Sequence, residues 1–130
     1  MILDSSAVVA ILRSEPDAGI FAEAAEGDPL LRISAANYLE VCMVIESGRN
    51  SAARRRVDDF FNEANVIIEP VTTEQAAIAR EAFRDFGRGS GHPAKLNFGD
   101  CFAYALAKAK REPLLCKGDD FVHTDVKTIP

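Results

Sequence analysis

Residues 1–12 read MILDSSAVVAIL: three apolar residues, an aspartate, two serines, then an apolar run at helical spacing. Met1–Leu3 reads as a short strand that ends at Asp4. Ser5 or Ser6 then stands ready to cap a helix over Ala7 to Arg13. The rest of the chain repeats this order. A second helix opens at Pro16–Asp17 and runs to Glu26, where Gly27–Asp28–Pro29 forces a turn. Leu30–Ile33 is a short strand, and Ser34 caps a helix to Glu46. Ser51–Ala64 is amphipathic, with Val57, Phe60 and Phe61 on one face. Val66–Ile68 is a strand, Thr72–Gln75 is a capping signature for a helix to Phe86, and Gly87–Pro93 (GRGSGHP) is a loop. A helix from Asn97 to Lys110, a strand at Leu114–Cys116 and a tail offering a short edge strand complete the chain. Strands alternating with helices predict an α/β domain, 1–130, with a short, mostly parallel sheet flanked by helices.

Within that pattern the acids are misplaced. Asp4 separates MIL from SSAVVAIL, Glu40 is embedded in YLEVCMVI, Asp100 in NFGDCFAYALA, and Asp119–Asp120 follow PLLCKG. Carboxylates rarely enter apolar runs unless their charge is compensated. Each has an ordinary alternative. Asp4 suits a helix cap, Asp100 suits the first turn of a helix dipole, and Asp119 and Asp120 suit a turn. Glu40 has no routine helical role. In open α/β sheets ligands bind beyond the carboxyl ends of the strands, where Asp4 and the Asp119–Asp120 pair fall.

Converging carboxylates repel one another, and a hard divalent cation removes the conflict. Mg²⁺ or Mn²⁺ prefers oxygen ligands, takes one or two carboxylates and keeps several waters. Such an ion activates water and neutralises charge on a phosphodiester. The chain offers no competing nucleophile: it has no G-x-S-x-G motif, no P-loop and no Cys–His partnership.

Composition bounds the rest. The 130 residues, 48% of them hydrophobic and 27% charged, suit one globular domain. No apolar stretch approaches the roughly 18 residues of a membrane span. The N-terminal stretch lacks a basic region and carries an early aspartate, so a cytoplasmic protein without a signal peptide is expected. Cys42, Cys101 and Cys116 are odd in number, widely spaced and set in apolar runs. Buried reduced thiols are expected, and His92 and His123 complete no zinc cluster. The net charge of −5 is uneven: residues 1–48 hold eight acids against two bases, and residues 49–130 hold thirteen bases against twelve acids. Arg54–Arg56 and the stretch Arg80–Lys95 offer a local basic rim, or simply solvated helix faces.

The blocks MILDSSAVVAIL, SAANYLEVCMVI, LNFGDCFAYALAKA and PLLCKGDDFVHTDV, in that order and spacing, resemble the PIN-domain ribonucleases, and more narrowly the VapC toxins of bacterial toxin–antitoxin pairs. The resemblance spans essentially the whole chain. It implies a three-layer α/β/α sandwich and an endoribonuclease dependent on Mg²⁺ or Mn²⁺. Its acids fall on Asp4, Glu40 and Asp100, with Asp4 and Asp100 on the metal directly and Glu40 on it through water or on a second ion. Ser6 stands at a small hydroxyl position beside the acids, and Asn97 at a polar position that orients Asp100. Relatives often carry T-x-D-x-D-F after the last core strand, whereas here Gly118 takes the first acid position. Asp120 aligns with the second acid, and Asp119 is the alternative. The family further implies cleavage leaving a 5′-phosphate and a 3′-hydroxyl, a VapB-type antitoxin presenting a basic residue to the acids, and a homodimer within a toxin–antitoxin hetero-oligomer. Arg49, Arg88 and Lys117 are candidates for holding RNA phosphates, and the Gly87–Pro93 loop for choosing the RNA.

Rival readings fit less well. A receiver domain needs an aspartate after its third strand, where only Glu69 stands. A haloacid-dehalogenase-like phosphatase needs an acid where Ser6 stands. A non-catalytic RNA- or partner-binding module of the same fold is the alternative, distinguished by binding without metal-dependent turnover.

Overall fold

The computed structural model describes residues 1–129. Five strands, β1 (Ile2–Leu3), β2 (Arg32–Ser34), β3 (Ile67–Glu69), β4 (Leu114–Leu115) and β5 (Thr128–Ile129), form one sheet in the order β3-β2-β1-β4-β5. Every pairing is parallel, so the expected mostly parallel sheet is entirely so. Six helices connect the strands: α1 (Ser5–Leu12), α2 (Ala18–Glu26), α3 (Ala35–Ser47), α4 (Ser51–Glu63), α5 (Thr73–Phe86) and α6 (Phe98–Lys110). A 3-10 turn at Phe121–His123, not expected from sequence, precedes β5.

Side chains on a strand alternate between faces, and here that alternation builds two separate cores. Leu3 and Leu115 join Val8, Phe21, Ile33, Val41 and Phe61 beneath α1–α4. Ile2 and Leu114 face the other way, onto Leu96, Tyr104, Leu106 and Phe121 beside α5 and α6. The result is the three-layer α/β/α arrangement.

Two boundaries differ instructively from the sequence reading. Helix α1 begins at Ser5 because Asp4, rather than a serine, is its N-cap; the Asp4 side chain accepts from the Ser6 N–H. Helix α2 begins at Ala18, after a turn in which the Ala18 N–H donates to the Glu15 carbonyl. Cys101 and Cys116 are buried free thiols, whereas Cys42 is only half-buried. Among the described residues, no helix is long and apolar enough to cross a membrane.

The strand order sets the location of the site. From β1 the chain moves outward to β2 and β3, then α5 and α6 carry it back across to β4 on the other side of β1. The switch point is therefore the gap beyond the carboxyl ends of β1 and β4, where ligands of such sheets bind.

Candidate active site

Asp4 follows β1 directly and lies in that gap, its N–H donating to the Leu115 carbonyl at 2.9 Å. Asp4 is only 3% exposed. Oδ2 accepts from the Ser6 N–H at 3.1 Å and from the Ser6 hydroxyl at 2.5 Å. Oδ1 is buried with no partner among the described residues. A buried, unpartnered carboxylate oxygen is costly, and it is what a metal ligand would look like without its ion. The Ser6 hydroxyl also accepts from the Lys117 N–H at 2.9 Å, linking the end of β1 to the segment after β4.

Asp100 arrives from the opposite layer. Helix α6 runs down into β4, so its N-terminus points at the carboxyl edge of the sheet. Asn97 caps it by a reciprocal box: Asn97 Oδ1 accepts from the Asp100 N–H at 2.9 Å, and Asp100 Oδ2 accepts from the Asn97 N–H at 3.0 Å. The expected orienting role of Asn97 is thus a helix cap. The box occupies one carboxylate oxygen and aims the group.

Glu40 completes the approach from α3. It accepts from the Ser5 hydroxyl through Oε1, and the Asn37 amide stands 3.4 Å from the same oxygen. Asn37 is fully buried and also donates to the Gly99 carbonyl at 3.0 Å, tying α3 to the first turn of α6. The Glu40 carboxylate lies against Gly99. A β-carbon there would sit 2.9 Å from Glu40 Cδ and closer still to both oxygens. Ser5, Asn37 and Gly99 are site residues that the sequence reading missed. Asn37 carried the same signal as Glu40, a polar group inside an apolar helix. Gly99 carried none.

The acids feel one another. Burial first, then the Glu40 charge among smaller effects, raises the Asp4 carboxyl from 3.8 to about 6, against the lowering bonds from Ser6. Asp100 is raised to about 6 as well, by burial first and then by the charges of Asp4, Asp120 and Glu40. The Cys116 thiol, at the end of β4, is pushed up to about 12 by burial and by Asp4, Asp100 and Asp120. Asp120, and not Asp119, figures among the charges acting on Asp100 and Cys116; both are exposed. The structure therefore brings Asp4, Glu40, Asp100 and Asp120 to one end of the sheet. Among the described residues no three His, Cys, Asp or Glu side chains already share a single metal-ligand set. The donor chemistry is all hard oxygen, and it suits a cation that takes few carboxylates and keeps its waters.

The basic candidates separate. Lys117 is not free for phosphate: its ammonium is held by Glu15 Oε1 at 2.6 Å and Asp17 Oδ1 at 3.2 Å. Arg49 and Arg88 are exposed.

The family model for the PIN domain matches residues 1–127. Ribonuclease VapC28 of Mycobacterium tuberculosis is 54% identical over 127 residues, covering 98% of this chain and 96% of that protein. The chain belongs to the VapC ribonucleases of the PIN-domain family. Solved PIN structures agree with the fold. The M. tuberculosis VapC20 toxin, which cleaves the sarcin–ricin loop, superposes with a TM-score of 0.77 at 16% identity, covering 96% of this chain and 95% of that one. VapBC2 of Rickettsia felis, bound to a DNA fragment from its promoter, also gives 0.77, at 13% identity, with coverages of 98% and 96%. These structures share the PIN architecture. In this chain Asp4, Glu40 and Asp100 approach one another at the switch point between β1 and β4.

Proposed function

We propose that this chain is the toxin of a type II toxin–antitoxin pair. In this reading it is a single-domain cytoplasmic endoribonuclease that cleaves RNA phosphodiesters with Mg²⁺ or Mn²⁺. The observation that carries the reading is the mutual approach of Asp4, Glu40, Asp100 and Asp120, with Asp4 and Asp100 both raised to about 6. A fold does not gather repelling carboxylates at its ligand-binding edge without a use for them. Asp4, through its unpartnered Oδ1, and Asp100 would hold the ion, with Glu40 and Asp120 completing the charge. When bound, the ion supplies an activated water and a counter-charge for the phosphorane-like transition state.

The chain's own groups do the positioning. Ser6 and Asn97 fix one oxygen each of Asp4 and Asp100, leaving the other oxygen of each without a hydrogen-bond partner among the described residues. Ser5 and Asn37 hold Glu40 over α6. Burial of Asp4 and Cys116 keeps solvent from the rear of the site, which strengthens every charge interaction within it. Cleavage on this scheme leaves a 5′-phosphate and a 3′-hydroxyl.

The reading includes a VapB-type antitoxin whose basic side chain would take the cation's place among the acids, since an Arg–carboxylate pair is strong and bidentate. It also includes a homodimer, for which Leu39, Met43, Phe83 and Phe98 supply exposed apolar surface. The test is cleavage of total RNA with Mg²⁺ or Mn²⁺ by wild type, Asp4→Ala and Asp100→Ala. Cleavage by wild type alone is expected. Equal cleavage by all three, or metal-independent binding without turnover by wild type, would refute the nuclease reading.

A further inference from the structure

The loop between α5 and α6 is the part of the acidic edge that the proposed chemistry leaves unused. It is not slack. The Arg88 N–H donates to the Leu96 carbonyl and the Leu96 N–H to the Phe86 carbonyl, both at 2.9 Å, closing the loop at its base. Inside, the Ser90 hydroxyl donates to the Gly87 carbonyl at 2.6 Å. His92 Nδ1 accepts from the Ala94 N–H at 3.1 Å. The same imidazole stacks edge-on against Phe86 with centroids 4.9 Å apart. Gly89 and Gly91 take φ values of +92° and +87°, which only glycine adopts readily.

This frame surrounds an open concavity of about 560 Å³ lined by Arg88, Gly89, Gly91, His92, Pro93 and Lys95. Its chemistry is of one kind. Arg88 and Lys95 are exposed, and among the described residues neither makes an ion pair. Arg84, four residues before Arg88, is by contrast paired with Asp85. The Gly89, Gly91 and Lys95 N–H groups have no acceptor among the described residues. No carboxylate lines the concavity, in a protein of net charge −5. The loop runs straight into the Asn97 cap and so into Asp100.

We propose that the Arg88–Lys95 loop is a preorganised phosphate-binding subsite, which holds the backbone of single-stranded RNA beside the acidic centre. The inference rests on the RNA-cleavage reading and names the part of the protein that binds substrate without reacting. Cations and free N–H groups hold phosphates and carry no base information. The loop therefore sets where the strand lies and leaves base choice to other surfaces. It also answers an electrostatic difficulty: a polyanion must approach a cluster of acids, and a fixed cationic arm next to them offsets the repulsion.

The test replaces both loop cations, Arg88→Gln with Lys95→Gln, and compares an equally neutralised control, Arg111→Gln with Lys127→Gln, two exposed cations that make no ion pair among the described residues and lie at the far end of α6 and just before β5. Binding of a fluorescein-labelled mixed-sequence RNA is read by anisotropy in the Asp100→Asn background across a salt series. Cleavage is read in the wild-type background. Losing two phosphate contacts should lower the salt slope by about 1.4, equally for unrelated sequences. It should raise KM roughly fivefold or more while kcat stays within about twofold. The control pair should do neither. Slopes and KM that match the control would overturn the subsite while leaving RNA cleavage intact. A wild type that fails to cut RNA but loses binding on the loop changes would overturn the nuclease reading and keep the subsite. Inorganic phosphate should displace the RNA better than chloride at equal ionic strength from the wild-type loop and no better than chloride from the Arg88→Gln, Lys95→Gln protein; the same displacement from both proteins would overturn the subsite.

Discussion

Gly99→Ala separates the stability of this fold from the geometry of its site. Gly99 is the second residue of α6, and the Glu40 carboxylate rests on it. An alanine β-carbon would lie within 2.9 Å of Glu40 Cδ and nearer to its oxygens, a distance no real contact tolerates. The obstacle is the far end of a flexible side chain rather than backbone, so Glu40 moves and α6 does not. The folding consequences offset one another only in part. Alanine gains up to about 1 kcal/mol of helix propensity over glycine. The displaced carboxylate gives up hydrogen bonds from Ser5 and Asn37, each worth roughly 1.5–3 kcal/mol to a charged acceptor. The net loss of roughly 2–5 kcal/mol should lower the melting temperature by about 8–20 °C, on the scale of about 4 °C per kcal/mol for a domain this size. Below that melting temperature cleavage should still fall on the order of 100-fold, the cost of a shift of about 1 Å in a positioned group. The assay is RNA cleavage by wild type, Gly99→Ala, Glu40→Ala and the double variant, with thermal melts alongside. If Gly99 acts through Glu40, the alanine adds nothing once Glu40 is gone. Wild-type cleavage by Gly99→Ala, or the same loss with and without Glu40, would refute the argument.

Two further outcomes follow from the acids. Asp4 binds its proton more tightly folded, at about 6, than at its ordinary 3.8. The metal-free protein therefore gains stability as pH falls from 7 through 6 toward 4, and loses it as pH rises through 6, by about 3 kcal/mol in full. Asp4→Asn should raise the melting temperature of the metal-free protein at pH 7.5, by up to about 12 °C on the same scale, and flatten this pH dependence; unchanged melting would show the carboxylate is not under strain. Of the adjacent pair, Asp120→Asn should lower RNA cleavage about tenfold or more, with Asp119→Asn within about twofold, because the Asp120 charge is among those that raise the Asp100 carboxyl. The reverse order in the same cleavage assay would transfer the role to Asp119.

The sequence of this protein was enough to establish its layers. Short apolar strands alternating with capped helices permit little besides a parallel sheet covered on both faces, and Ser34, Thr72 and Asn97 mark their helix starts through local hydrogen bonds. Asp4, Glu40 and Asp100 were legible because a carboxylate in an apolar run is costly wherever it occurs. Which groups meet was decided only by tertiary structure. Gly99 matters because α3 crosses α6 there, and Asn37 because its amide reaches across that crossing. Lys117 looked like a phosphate ligand until Glu15 and Asp17 proved to hold it. Burial and backbone pattern are written locally along the chain; the partner of a side chain a hundred residues distant is fixed only when the sheet closes.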